Sequence, residues 1–171
     1  MELQVRIATE TAQMLELLKE HYQKKNGIVF TKGEVLSKAI IDTYDEWTEI
    51  DWSKTLSLLP KNEILERYEI SSGSLRPKFQ ISNSIESKID ELRRIIKRSV
   101  DARSVTIGAT IKFVFIQAIY EIQHESAISV ETVVNDTLDL FLTDNISAKE
   151  KEILQKFADN LLTKFEINDL L

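Results

Sequence analysis

A chain of 171 residues with no cysteine can hold neither a disulfide nor a thiolate-bound metal, and with only four glycines and two prolines it should be dominated by long helices. No apolar run approaches the length of a membrane span, and Met1–Arg6 lacks the basic and apolar regions of a secretory signal, so a cytoplasmic protein without a membrane partner is expected. The net charge of −6 argues at first against a polyanionic partner, but it is unevenly spread: residues 77–123 carry 8 basic and 5 acidic groups, whereas residues 124–171 carry 4 and 10.

From the start of the chain, Glu2–Ile7 alternates polar Glu2, Gln4 and Arg6 with apolar Leu3, Val5 and Ile7, the pattern of a half-buried strand. A helix should follow from Ala8 or Thr9 to about Lys25, with Thr11, Met14, Leu15, Leu18 and Tyr22 on one face. Asn26-Gly27 suits its left-handed stop. Thr31 and Glu34 have the spacing of a capping box, which predicts a helix reaching Trp47 and burying Val35, Leu36, Ala39, Ile40, Thr43 and Tyr44. Residues 48–77 read as a connector of short helical turns, interrupted by Pro60 and ending in a flexible Ser71-Ser72-Gly73-Ser74 linker.

The pattern then recurs. Lys78-Phe79-Gln80-Ile81 answers to Gln4-Val5-Arg6-Ile7 at an offset of 74 residues. Ile85, Ile89, Leu92 and Ile96 occupy the positions of Thr11, Leu15, Leu18 and Tyr22, with Lys88 in the place of Met14. Thr106-Ile107-Gly108 matches Thr31-Lys32-Gly33 at an offset of 75, one residue having been inserted in the turn, where insertions cost least. The second helix of this unit, Ala109–Ile122, is apolar nearly all round and should be the buried centre of the fold. Two further helices are expected, one from Ser129 to Leu142 and one opened by the Ser147–Glu150 capping box. The latter should bury Ile153, Leu154, Phe157, Leu161, Leu162 and Phe165, and residues 168–171 should fray.

The chemistry-bearing signals are of one kind. No glycine-rich phosphate loop, histidine pair or cysteine nucleophile is present, which points away from an enzyme, a metal centre and a cofactor. His21 and His124 stand alone, and Trp47 and Trp52 read as packing residues. Arg93, Arg94, Lys97 and Arg98 form a charge run that Asp90 and Glu91 can balance on a solvated helix face.

Strand, helix, polar turn and capped helix within about 45 residues, seen at 2–47 and again at 78–122, resemble the ribbon-helix-helix (Arc/MetJ-like) family of DNA-binding proteins. Two units in one chain resemble the tandem-repeat form of TraY-type plasmid-transfer proteins. The resemblance implies a mainly α fold with a short antiparallel two-stranded ribbon. It divides the chain into a first repeat at 1–47, a connector at 48–77, a second repeat at 78–123 and an acidic helical extension at 124–171. It implies a monomeric pseudo-dimer or a homo-oligomer, since an isolated strand leaves its backbone groups unpaired. It also implies sequence-specific binding of double-stranded DNA, with the ribbon in the major groove. Gln4, Arg6, Lys78 and Gln80 would read bases. Thr31, Lys32, Gly33, Thr106 and Gly108 at the helix starts, with Lys24, Lys25 and Arg103 nearby, would hold phosphates. Ile107 stands where a polar residue would better suit a phosphate, and Glu2 has the wrong sign. A relaxase or other transfer protein is the partner implied for the acidic extension. The implied setting is a relaxosome at a transfer origin or, alternatively, autoregulatory repression on a mobile element. A protein-interaction scaffold without a DNA role is the rival class.

Overall fold

The apolar residues at spacings of three and four force the chain into helices whose greasy faces must meet. The computed structural model describes residues 1–142 and 147–167. It is mainly helical with one two-stranded antiparallel sheet. Strand β1 (Glu2–Gln4) leads into α1 (Thr9–Asn26) and α2 (Lys32–Thr43), which a 3-10 turn extends to Glu46. A connector follows with a 3-10 turn at Thr55–Leu58, the single-turn helix α3 (Asn62–Leu65) and another 3-10 turn at Ser72–Leu75. Strand β2 (Lys78–Gln80), α4 (Asn83–Ser99), α5 (Ile107–Phe141) and α6 (Ala148–Ile167) complete the chain. No described helix is long and apolar enough to cross a membrane.

Residues divide into two compact units, Met1–Tyr120 and Glu121–Leu171. In the first unit, the helix faces are those that periodicity predicts. Met14, Leu15, Leu18 and Tyr22 of α1, Val35, Leu36, Ala39 and Ile40 of α2, and Ile85, Ile89, Leu92 and Ile96 of α4 are all buried. From Ile111 to Ile119 only Lys112 is not almost wholly enclosed, so the start of α5 lies inside the core. Trp47 and Trp52 are buried, each with its indole N–H satisfied, on Thr43 Oγ1 at 3.0 Å and on the Trp47 carbonyl at 2.9 Å. Lys88, at the position matching Met14, is half-buried with its ammonium over the Tyr44 ring, which lets a cation occupy a slot built for an apolar side chain.

The strands pair within the chain. Leu3 faces Phe79, Glu2 faces Gln80 and Gln4 faces Lys78. Backbone bonds continue beyond the regular strands, from Ile81 N to the Met1 carbonyl (3.0 Å), from Val5 N to Pro77 (3.3 Å) and from Ile7 N to Leu75 (3.0 Å). Phe79, Ile81 and Ile7 point into the core, and Glu2, Gln4, Arg6, Lys78 and Gln80 lie exposed on the other side, as a pleat of period two requires.

Four expectations change. The regular strand stops at Gln4 instead of reaching Ile7, although single backbone bonds to the connector carry the extended chain on. The serine-rich segment is an ordered 3-10 turn, because the Leu75 carbonyl is tied to Ile7 and Ser71 Oγ bonds Ser74 Oγ at 3.1 Å. The expected break between Ile122 and Ser129 is absent, and one 35-residue helix runs through it. Residues 123–128 hold no glycine or proline to stop it, so the capping preference of Ser129 finds no helix start to serve. On α6, Ile153 and Phe157 are 58% and 66% exposed, while Ala158 is buried. Its sheltered seam is Leu154, Ala158, Leu161 and Phe165, spaced four, three and four, and Ile153 and Phe157 fall beside it. Residues 168–171, expected to fray, lie outside the described residues.

Candidate functional site

The outer face of the ribbon brings together the four side chains that alternation singled out. Antiparallel pairing sets Gln4 across from Lys78, with Gln80 and Arg6 at opposite ends. Burial keeps alternating past the strand, with Pro77 buried and Leu75 half-buried, so exposed Arg76 joins the same face across from Arg6. Sequence reasoning missed Arg76, because only the strand register reveals which connector residue meets Arg6. Glu2 sits among these groups. Its carboxylate forms an ion pair with Lys78 Nζ at 3.0 Å and accepts a hydrogen bond from Gln80 Nε2 at 3.0 Å. All three side chains are solvent-exposed, so these interactions are weak and exchangeable.

Each end of the ribbon is met by a helix start, α2 on the β2 side and α5 on the β1 side. Gly33, in the first turn of α2, lies so close to β2 that a Cβ there would overlap the Gln80 carbonyl oxygen and stand 2.8 Å from the Gln80 nitrogen. Gly108, in the first turn of α5, stands in the same relation to the Arg6 carbonyl on the β1 side. Residues 33 and 108 differ by 75, and residues 6 and 80 by 74, so the two approaches are images of one another under the sequence offset. Both glycines are buried, and their missing side chains accommodate the ribbon backbone.

Thr31 caps α2 in a closed capping box: its hydroxyl accepts from Glu34 N at 3.3 Å, and its amide donates to Glu34 Oε2 at 2.7 Å. That amide bond, aided by the Thr31 hydroxyl, holds the Glu34 carboxyl below its ordinary pKa. The first helix start therefore already carries an anion. Thr106 caps α5 by accepting from Ala109 N at 3.1 Å, with no carboxylate in the corresponding place. Around the first start, Lys32 is half-exposed and Lys24 is ion-paired to Glu20 at 2.6 Å, with Lys25 exposed beside it. Arg103 is exposed three residues before Thr106.

Beside Thr106 lies an open groove of about 600 Å³, whose polar lining includes Arg6, Thr9, Glu10, Thr11, Thr106 and Lys112. The N-terminal ends of α1 and α5 both border it, which gives it a positive backbone potential. Lys112 Nζ holds Glu10 Oε1 at 2.8 Å, and this bond is the main cause of the lowered Glu10 pKa. Thr11 Oγ1 is buried with no hydrogen-bond partner among the described residues. Lys112 and Thr9 carry no sequence signal of their own, since only the packing of α5 against the first strand brings them beside Arg6. Among the described residues, no group of three His, Cys, Asp or Glu side chains could hold a metal ion.

Comparison with known protein families, curated proteins and solved structures finds no match to this chain. Any function must therefore follow from this geometry.

Proposed function

We propose that the chain binds double-stranded DNA sequence-specifically, as a tandem ribbon-helix-helix protein in which two repeats of one chain stand in for the usual pair. The observation that carries this reading is the exposed ribbon face of Gln4, Arg6, Arg76, Lys78 and Gln80, framed by two helix starts seated on it in matching fashion. A two-stranded ribbon fits the major groove. Arg6 suits guanine O6 and N7, Gln4 and Gln80 suit adenine N6 and N7, and Lys78 suits guanine or a phosphate. The Thr106 start, with exposed Arg6 beside it and Arg103 three residues before it, suits a backbone phosphate better than the Thr31 start, where Glu34 already occupies the dipole. Because the two strands present different side chains, the two half-sites should differ, and the target should be an imperfect palindrome.

The setting we favour is a plasmid transfer origin, where such a protein positions a relaxase, with the acidic 124–171 segment as the recruiting surface. Autoregulatory repression on a mobile element uses the same binding chemistry. A scaffold without a DNA role is the second reading, favoured by Glu2, whose charge lies within the ribbon face. Fluorescence anisotropy of the full chain with duplexes selected from a randomised pool separates these classes. DNA readout requires tight binding that falls steeply with salt, each neutralised phosphate adding a slope of about −0.9 to log K against log salt. Absence of salt-sensitive binding to any duplex would reject the DNA reading and leave the scaffold.

A further inference from the structure

The two ends of the ribbon unit differ in charge. Between residues 92 and 111 the chain carries five cations, Arg93, Arg94, Lys97, Arg98 and Arg103, and one acid, Asp101. Arg94, Lys97, Arg98 and Arg103 are exposed, and Arg94 Nε donates to the Asp90 carbonyl at 3.2 Å, which leaves the Asp90 carboxylate to Arg93. At the matching place on the other repeat, the α1 end carries Lys24, paired with Glu20 at 2.6 Å, and Lys25, and the turn exposes Ile28 and Val29 where the second repeat exposes Arg103.

Part of this cationic end has a structural cause. Lys97 and Arg98 lie in the last turn of α4, where the helix dipole favours cations, as Lys24 and Lys25 do on α1. That cause does not extend to Arg94, further back in the helix, or to Arg103, beyond its end. The patch is also joined to the site. Arg93 Nε donates to the Val105 carbonyl at 3.0 Å, and the Ala102 amide donates to the Lys97 carbonyl at 3.1 Å, which folds the turn back on the helix end. Val105 precedes Thr106, whose helix start rests on Arg6 through Gly108. The turn that carries Arg103 thus runs directly into the Thr106 helix start, and Arg93 ties that turn to the helix that carries Arg94, Lys97 and Arg98.

We propose that Arg94, Lys97, Arg98 and Arg103 hold the backbone phosphates of one flank of the duplex, so that the protein sits on its DNA with a footprint lengthened on the α4–α5 side alone. The inference rests on the duplex-binding reading above and adds polarity to it. A near-symmetric ribbon is thereby given a direction on its DNA, and a partner docked to the protein would face one side of the site.

The test uses the full chain, a duplex selected by it from a randomised pool, and the variants R94Q/R103Q and R94K/R103K. Both positions are solvent-exposed, and circular dichroism melting checks that the variants fold. If R94Q/R103Q leaves two phosphates without their cations, the slope of log K against log salt should fall by about 1.8, so the affinity ratio between 50 and 200 mM salt should shrink about 12-fold. The hydroxyl-radical footprint should recede from one end only, and R94K/R103K should restore both. An unchanged slope with a footprint equal at both ends overturns the flank proposal and leaves the ribbon reading standing. Failure of the wild-type chain to bind any duplex in a salt-sensitive manner overturns both.

Discussion

Replacing Gly33 with alanine tests the close approach that seats α2 on the ribbon. The added Cβ would overlap the Gln80 carbonyl oxygen and also lie 2.8 Å from the Gln80 nitrogen and 2.9 Å from its carbonyl carbon. These are backbone atoms held by the strand pairing, so no rotamer change relieves the overlap; helix and ribbon must separate. Overpacking of this kind costs about 1–3 kcal/mol, partly offset by the roughly 1 kcal/mol by which alanine is preferred to glycine in a helix. A net loss of up to about 2 kcal/mol is expected. Trp47 and Trp52 are both buried in the Met1–Tyr120 unit, so tryptophan fluorescence during urea unfolding reports on that unit. With a urea slope of about 2 kcal/mol per molar, the midpoint should fall by up to about 1 M. Gly73→Ala is the control, since nothing lies within 4 Å of its would-be Cβ and its φ is not in the left-handed range. It should be neutral or stabilise by up to about 1 kcal/mol. A Gly33→Ala protein as stable as the Gly73→Ala protein would refute the reasoning, because the close approach of α2 to Gln80 would then not exist in solution.

Other expectations follow from the same geometry. Arg6→Ala should cost about 1–3 kcal/mol on a selected duplex and relax preference at one base pair, whereas Lys32→Ala should weaken all duplexes alike; competition with single-base variants of the site distinguishes the two, and identical behaviour would undo the division into readers and clamps. Glu2→Gln frees Lys78 from its ion pair and removes a negative charge from the ribbon face, so duplex binding should tighten and its salt slope steepen. Weaker binding on titration would instead make Glu2 a base contact. Burial, with help from the hydrogen bond to Glu20, pushes the Tyr68 hydroxyl up to about 12. A raised folded pKa means that this linkage stabilises fully below the ordinary tyrosine value of 10.0 and is lost as pH climbs through about 12. Tyrosinate absorbance should show a late-titrating component that Tyr68→Phe removes; titration curves of the two proteins that differ only below about pH 11 would contradict it. The Glu10–Lys112 ion pair predicts the opposite sign. Its lowered carboxyl pKa supplies stability above the ordinary value of 4.5 that is lost as pH falls through the folded value, and Glu10→Gln should flatten that acid limb in a melting series.

Periodicity alone placed the buried faces of α1, α2 and α4, because a side chain at every third or fourth position has no choice of neighbour within its own helix. Thr31 with Glu34 and Ser147 with Glu150 likewise announced their helix starts, since a capping box closes over four consecutive residues. The exposed side of each strand was equally readable from the alternation of Gln4 and Arg6 with Val5 and Ile7. What escaped depends on residues far apart in the chain. Local signals at Ser129 could not show that α5 continues, because a cap residue acts only where the preceding chain leaves the helix. The seating of Gly33 on Gln80 and Gly108 on Arg6, the arrival of Arg76 beside Arg6, and the hold of Glu2 on Lys78 all require the strand register, which joins residues nearly 80 positions apart. By itself, then, the sequence determined that α1, α2 and α4 are helical and which side of each seeks the core, since those are matters of local geometry and apolar spacing. Only the tertiary structure decided which charges share a surface, because that follows from how the buried faces close on one another.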